Sequence, residues 1–128
     1  MNTLVRVLQM LIRLFGLVLL VLGILFWTGN LLNLIVVHMV IGIVLVASLW
    51  VLAIVAAQMG VPAGPVIVAM VWGLVGAVLG LTQANILATH PLHWVVQAVH
   101  LLVGIGIIEQ AEGLASRIKE KQAPVYQR

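Results

Sequence analysis

Two histidines break an otherwise apolar chain in the same way. His38 opens the string HMVIG, which ends at Gly42, and 62 residues later His100 opens HLLVG, which ends at Gly104. Neutral imidazole is the commonest metal ligand among side chains, and an ionisable residue inside hydrocarbon costs enough to need a function or a partner. A glycine four residues on lies on the same helix face, and without a Cβ it leaves clearance for anything the ring one turn above it holds. Two such units suit one ligand gripped between two imidazoles. A b-type haem, one per chain, is the leading candidate: both axial positions of a low-spin iron would be filled, which favours electron transfer or sensing over oxygen chemistry.

For that grip to form, both histidines must sit at one depth in a membrane. The 128 residues are 64% hydrophobic and 7% charged, with a mean hydropathy of +1.28, against roughly 25% charged in a soluble domain. The chain reads as an all-α, four-helix transmembrane bundle of up-down topology. Four apolar stretches each approach the ~20 residues that span the hydrocarbon core: about 7–27, 31–58, 66–81 and 92–112, the last extending to 120 beyond the membrane. Residues 1–121 form one domain on this reading, and 122–128 a disordered tail. TGN (Thr28 to Asn30) ends the first span, and MGVPAGP (Met59 to Pro65) separates the second from the third. The second span exceeds what a crossing needs, so it tilts or projects.

Charge gives the orientation. Arg6 and Arg13 lie at the start of the first span and Arg117, Lys119, Lys121 and Arg128 after the fourth, while the loops between spans 1 and 2 and spans 3 and 4 hold no basic residue. The positive-inside rule then puts both termini in the cytoplasm of a bacterial plasma membrane, with Trp27 and Trp94 at the outer interface. FWTGN lacks a small-x-small cleavage site, so the first span is expected to be retained. With a net charge of +3 and the basic residues confined to the two ends, the partner is lipid and not nucleic acid. Spans 2 and 4 run in the same direction, and His38 and His100 lie seven and eight residues into them. At ~1.5 Å per residue both are roughly 10 to 12 Å deep, facing each other across the diagonal of the bundle.

A second pattern accompanies each histidine. Span 1 contains GLVLLVLG (Gly16 to Gly23) and span 3 contains GLVGAVLG (Gly73 to Gly80), sharing GLVxxVLG, and each is followed by its own histidine and glycine. Two duplicated helical hairpins related by an axis along the membrane normal would produce this. Gly23 and Gly80 then fall near the depth of the rings, and with Gly42 and Gly104 they would surround one slot. Gly76 reads as helix packing through Gly76-xxx-Gly80. On span 4, His93, Gln97, His100 and Gly104 recur at spacings of four, three and four, a single polar face that should point inward. His93 and Gln97 are therefore candidate cofactor contacts, with Asn30, Asn33, Gln83 and Asn85 as further groups able to solvate haem propionates.

Other residues suggest less. His90 and His93 lack a third ligand for a metal ion. Glu109 is placed to pair with Arg13 near the inner edge, and Trp50, Trp72 and the methionines at 39, 59 and 70 read as packing. The absence of cysteine removes thiolate ligation, disulfides and c-type haem attachment. With no aspartate, two serines and three glutamates far from the histidines, no hydrolytic triad or carboxylate pair can be assembled, so an electron carrier is expected and not an enzyme.

The GLVxxVLG and HΦΦΦG hairpins, together with the histidine pair, resemble small bacterial four-span proteins similar in plan to membrane b-type cytochromes: the cytochrome b561-like bundles and one half of a haem A synthase. The resemblance covers about residues 10 to 112 and implies axial ligation by His38 and His100. It departs from the b561 plan in having one histidine pair instead of two, and from haem A synthase in lacking its further histidines and acidic residue. It implies electron exchange with a partner protein or a quinone, alone, as a homodimer or within a larger complex. The open alternatives are a cofactor-free accessory subunit with hydrogen-bonded histidines, and a pigment or metal binder.

Overall fold

The computed structural model describes residues 2–124. Its elements are α1 (Thr3–Trp27), a short 3-10 turn (Leu32–Leu34), α2 (Ile35–Gln58), α3 (Ala63–Thr82) and α4 (His93–Gln122). All four long helices are apolar and long enough to cross a membrane, with residues 32–58 forming the second crossing. The sequence expectation of an all-helical bundle of four membrane-spanning helices holds.

Local chemistry sets the helix ends. Asn2 begins α1, its Oδ1 accepting the Leu4 N–H at 2.9 Å. Both α1 and α2 stop at a glycine of φ +80°, Gly29 and Gly60. In each, the glycine N–H bonds back to Phe26 or Ala57, and the next residue bonds to Leu25 or Ala56. This is the Schellman arrangement, which satisfies carbonyls that hydrocarbon would otherwise strand. Several ends differ from the sequence reading. α1 starts at Thr3 instead of 7, because Asn2 provides a cap ahead of the apolar run. α3 starts at Ala63 instead of 66, since Pro65 falls in the first turn, where its missing N–H costs no intrahelical bond. α4 continues to Gln122, past the expected 120; of the expected disordered tail, residues 125–128 lie outside those described.

Each helix packs against its chain neighbour, α1 also packs against α4, and α2 and α4 touch across the diagonal. The core occupies the half of the bundle nearest the chain ends. It is built from Val5, Leu8 and Ile12 on α1, Ala69 on α3, and two matching sets on α2 and α4. Leu45, Leu49, Leu52, Ala53 and Ala56 are buried, and so are the residues 62 places later: Ile107, Ala111, Leu114, Ala115 and Ile118. The expected duplication therefore appears as burial register, not only as motif.

Two tryptophans tie the helices together. Trp50 Nε1 donates to the Met70 carbonyl at 3.1 Å, joining α2 to α3, and Trp72 Nε1 donates to the Val103 carbonyl at 2.9 Å, joining α3 to α4. Each indole lies over a glycine of the next helix, Gly73 under Trp50 and Gly106 under Trp72, where a Cβ would collide with the ring. The α1–α4 seam carries the polar cluster of the core end. Arg13 binds Glu112 through Nε at 2.5 Å and Nη2 at 2.9 Å, and Gln9 donates to the same carboxylate at 2.5 Å. The expected Arg13–Glu109 pair is thus corrected to Arg13–Glu112. Glu112 lies one turn beyond Ile108, which packs on Gly16 of α1, whereas Glu109 faces Pro65 and Val68 of α3.

A methyl group at Gly106 must displace the Trp72 indole and its hydrogen bond, so Gly106→Ala is expected to destabilise the bundle by about 1–3 kcal/mol. Gly113→Ala, whose Cβ meets no other atom within 4 Å, is expected to be neutral or stabilising by up to about 1 kcal/mol through helix propensity. Thermal unfolding of the two variants in detergent checks the contrast.

Candidate functional site

Where the core ends, the bundle opens into a cavity of about 350 Å³ reached by all four helices. This is within the ~300–1,000 Å³ of small-molecule sites. Its floor is apolar, formed by Gly16, Leu45, Gly76 and Ile107. Its mouth lies at the end that carries the α1–α2 and α3–α4 loops. All eight residues selected from the sequence, His38, His100, Gly42, Gly104, Gly23, Gly80, His93 and Gln97, line this one space.

The two imidazoles face each other within it. Their ring centroids are 6.3 Å apart with planes inclined at 56°, so the two histidines expected to meet across the bundle lie next to each other. They come from α2 and α4, the diagonal pair. Among the described residues, neither buried Nδ1 atom has a hydrogen-bond partner. An edge-to-face contact with Phe26, at 5.3 Å between centroids, fixes one side of His38.

The four glycines divide into two roles. Gly23 and Gly80 seat the rings: a Cβ there would lie 3.8 Å from His38 Cε1 and 3.4 Å from His100 Cε1. Each histidine thus leans on the glycine of the preceding helix in its own hairpin. Gly42 and Gly104 do something else. A Cβ at either meets nothing within 4 Å, because both face the open cavity one turn below the rings.

His93 Nδ1 bonds the Ile86 carbonyl at 2.8 Å; as the carbonyl can only accept, the ring donates. This holds the α3–α4 loop over the cavity and leaves Nε2 for other work. His90 has a backbone role, its Nδ1 accepting the Leu92 N–H at 3.1 Å ahead of α4. Of the further polar groups at this end, Gln83 lines the cavity, while Asn30, Asn33 and Asn85 do not.

Sequence reasoning missed Phe26. Its one signal is an aromatic ring three residues after Gly23, where a hairpin brings it to the second helix; but aromatics near a membrane boundary are common enough to hide it. Among the described residues, no three histidine or acidic side chains gather at one point. Two imidazoles alone fall short of the four ligands of a closed structural zinc site. Comparison of the chain with protein-family models, curated proteins and solved structures finds no match.

The open space beside Gly42 and Gly104 has a measurable cost. Without ligand, Gly42→Ala and Gly104→Ala are each expected to stabilise the bundle by about 0.5–1 kcal/mol, since glycine inside a helix is unfavourable and the methyl group meets no neighbour. A lowered unfolding temperature in either ligand-free variant would mean that the space is closed.

Proposed function

We propose that the chain is a membrane b-type cytochrome that holds one haem between His38 and His100 and passes single electrons. The observation that carries this reading is the spacing of the two imidazoles across a cavity in the bundle. A metal–imidazole bond of about 2.0 Å and about 1.1 Å from nitrogen to ring centre would put two rings on opposite sides of one metal about 6 Å apart. The observed centroid distance is 6.3 Å.

Several features of the chain support the same reading. A flat ligand between rings on α2 and α4 would extend along the other diagonal, towards α1 and α3. On that line the cavity is lined by Gly16, Leu19, Leu20 and Gly23 of α1 and by Gly76, Ala77 and Gly80 of α3. The unpartnered Nδ1 atoms speak against histidines kept for hydrogen bonding between helices, the arrangement a cofactor-free accessory subunit would need. A haem would supply a one-electron couple; the protein's own part is to fix both ring orientations, through Gly23, Gly80 and Phe26, and to keep water from the floor. Filling both axial positions from the chain favours electron carriage over catalysis.

In this reading the protein resides in a bacterial plasma membrane with both termini cytoplasmic. Among the described residues, Arg6, Arg13, Arg117, Lys119 and Lys121 all belong to the core end of the bundle and no lysine or arginine to the cavity end, the asymmetry the positive-inside rule reads. The haem would then lie in the outer leaflet, within reach of an outer-side redox protein or a quinone.

Purified protein supplied with haem b should show a sharp Soret band and resolved α and β bands on reduction. His38→Ala and His100→Ala should each abolish this low-spin spectrum, and His90→Ala should leave it unchanged. Protein that stays colourless with excess haem overturns the reading.

A further inference from the structure

The cavity is not as symmetric as the pair of rings inside it. The burial register relates α2 to α4 by 62 residues, and the shared GLVxxVLG relates α1 to α3 by 57. Applied to the mouth, these offsets match unlike residues. Phe26 corresponds to Gln83, Trp27 to Ala84, Leu31 to His93 and Ile35 to Gln97. Phe26, Trp27 and Ile35 form an apolar lip from the first hairpin, while Gln83, His93 and Gln97 form a polar lip from the second. Among the described residues, neither glutamine side chain makes a hydrogen bond to the protein, and His93 spends only Nδ1 on Ile86. Amides in an apolar wall, facing a cavity and not each other, need an acceptor or donor from elsewhere.

We infer that the cavity orients an amphipathic ligand, its carboxylate-bearing edge on the α3–α4 lip and its apolar edge against Phe26, Trp27 and Ile35. This rests on the haem reading and adds the direction of the propionates. The Gln83 and Gln97 amides donate to the carboxylates; a neutral His93, its one N–H committed to the Ile86 carbonyl, adds no donor to them. Among the described residues no lysine or arginine lies at this end, so neutral donors carry the recognition. The divergence of the lips removes the twofold ambiguity that equivalent hairpins would leave: a ligand turned end for end about the pseudo-axis would set its carboxylates against an indole and a phenyl ring.

The test compares haem b with its dimethyl ester, in which both propionates are capped, by titration into the full-length protein in detergent and low-spin absorbance readout. Wild type is expected to bind the free acid about tenfold or more tightly than the ester, the ratio given by roughly one charge-assisted hydrogen bond. In the double variant Gln83→Leu with Gln97→Leu the preference should fall to within about twofold while the low-spin bands persist. Asn33→Leu with Asn85→Leu, polar residues of the same end that lie outside the cavity, should keep the full preference. Equal binding of both porphyrins by wild type, or an undiminished preference in the glutamine variant, overturns the proposed orientation and leaves the histidine clamp standing. Binding of neither porphyrin by wild type overturns the clamp and the orientation together.

Discussion

Hydrocarbon offers no partner to a polar group, and that constraint orders the whole bundle. Backbone carbonyls at the ends of α1 and α2 are recovered by the glycine turns at Gly29 and Gly60. Indole N–H groups of Trp50 and Trp72 reach carbonyls on the next helix. Gln9, Arg13 and Glu112 satisfy one another on a single seam. Against this background of paired groups, the buried Nδ1 atoms of His38 and His100 are the exception. Buried groups left unpaired mark where the molecule departs from its own stability optimum.

The departure has a location. Packing is dense from Leu45 to Ala56 on α2 and from Ile107 to Ile118 on α4, and it gives way above them to a glycine-lined space. The two halves depend on each other. The tryptophan ties and the Arg13–Glu112 pair hold the helices near the chain ends, so the other half can remain hollow without collapse. Glycines at 42 and 104 keep that half empty at the expense of helix stability. A bundle selected for stability alone would carry alanine or leucine there.

Much of this was legible in the residues and some was not. The four helices follow from uninterrupted apolar length, and two of their ends from the glycines at 29 and 60, whose left-handed turns stop α1 and α2. The meeting of the two histidines came from counting along parallel spans, because helical rise is nearly constant. The partner of Arg13 was not readable. Glu109 and Glu112 differ by three residues on α4 and face different neighbours, and only the packing of Ile108 on Gly16 decides which faces α1. Nor could the sequence separate glycines that seat a ring, at 23 and 80, from glycines that bound empty space, at 42 and 104, since both lack the same atom. That difference lies in what approaches from another helix.

The matched burial of α2 and α4 has a consequence for how such a site can change over time. A two-helix hairpin that assembled with a second copy of itself would present each mouth residue twice, and any amide gained at one rim would appear at the other. Once both hairpins are joined in one chain that coupling is gone, and residue 97 can be glutamine while residue 35 stays isoleucine. Covalent linkage thus supplies what a homodimer is forbidden by its own symmetry, a left and a right.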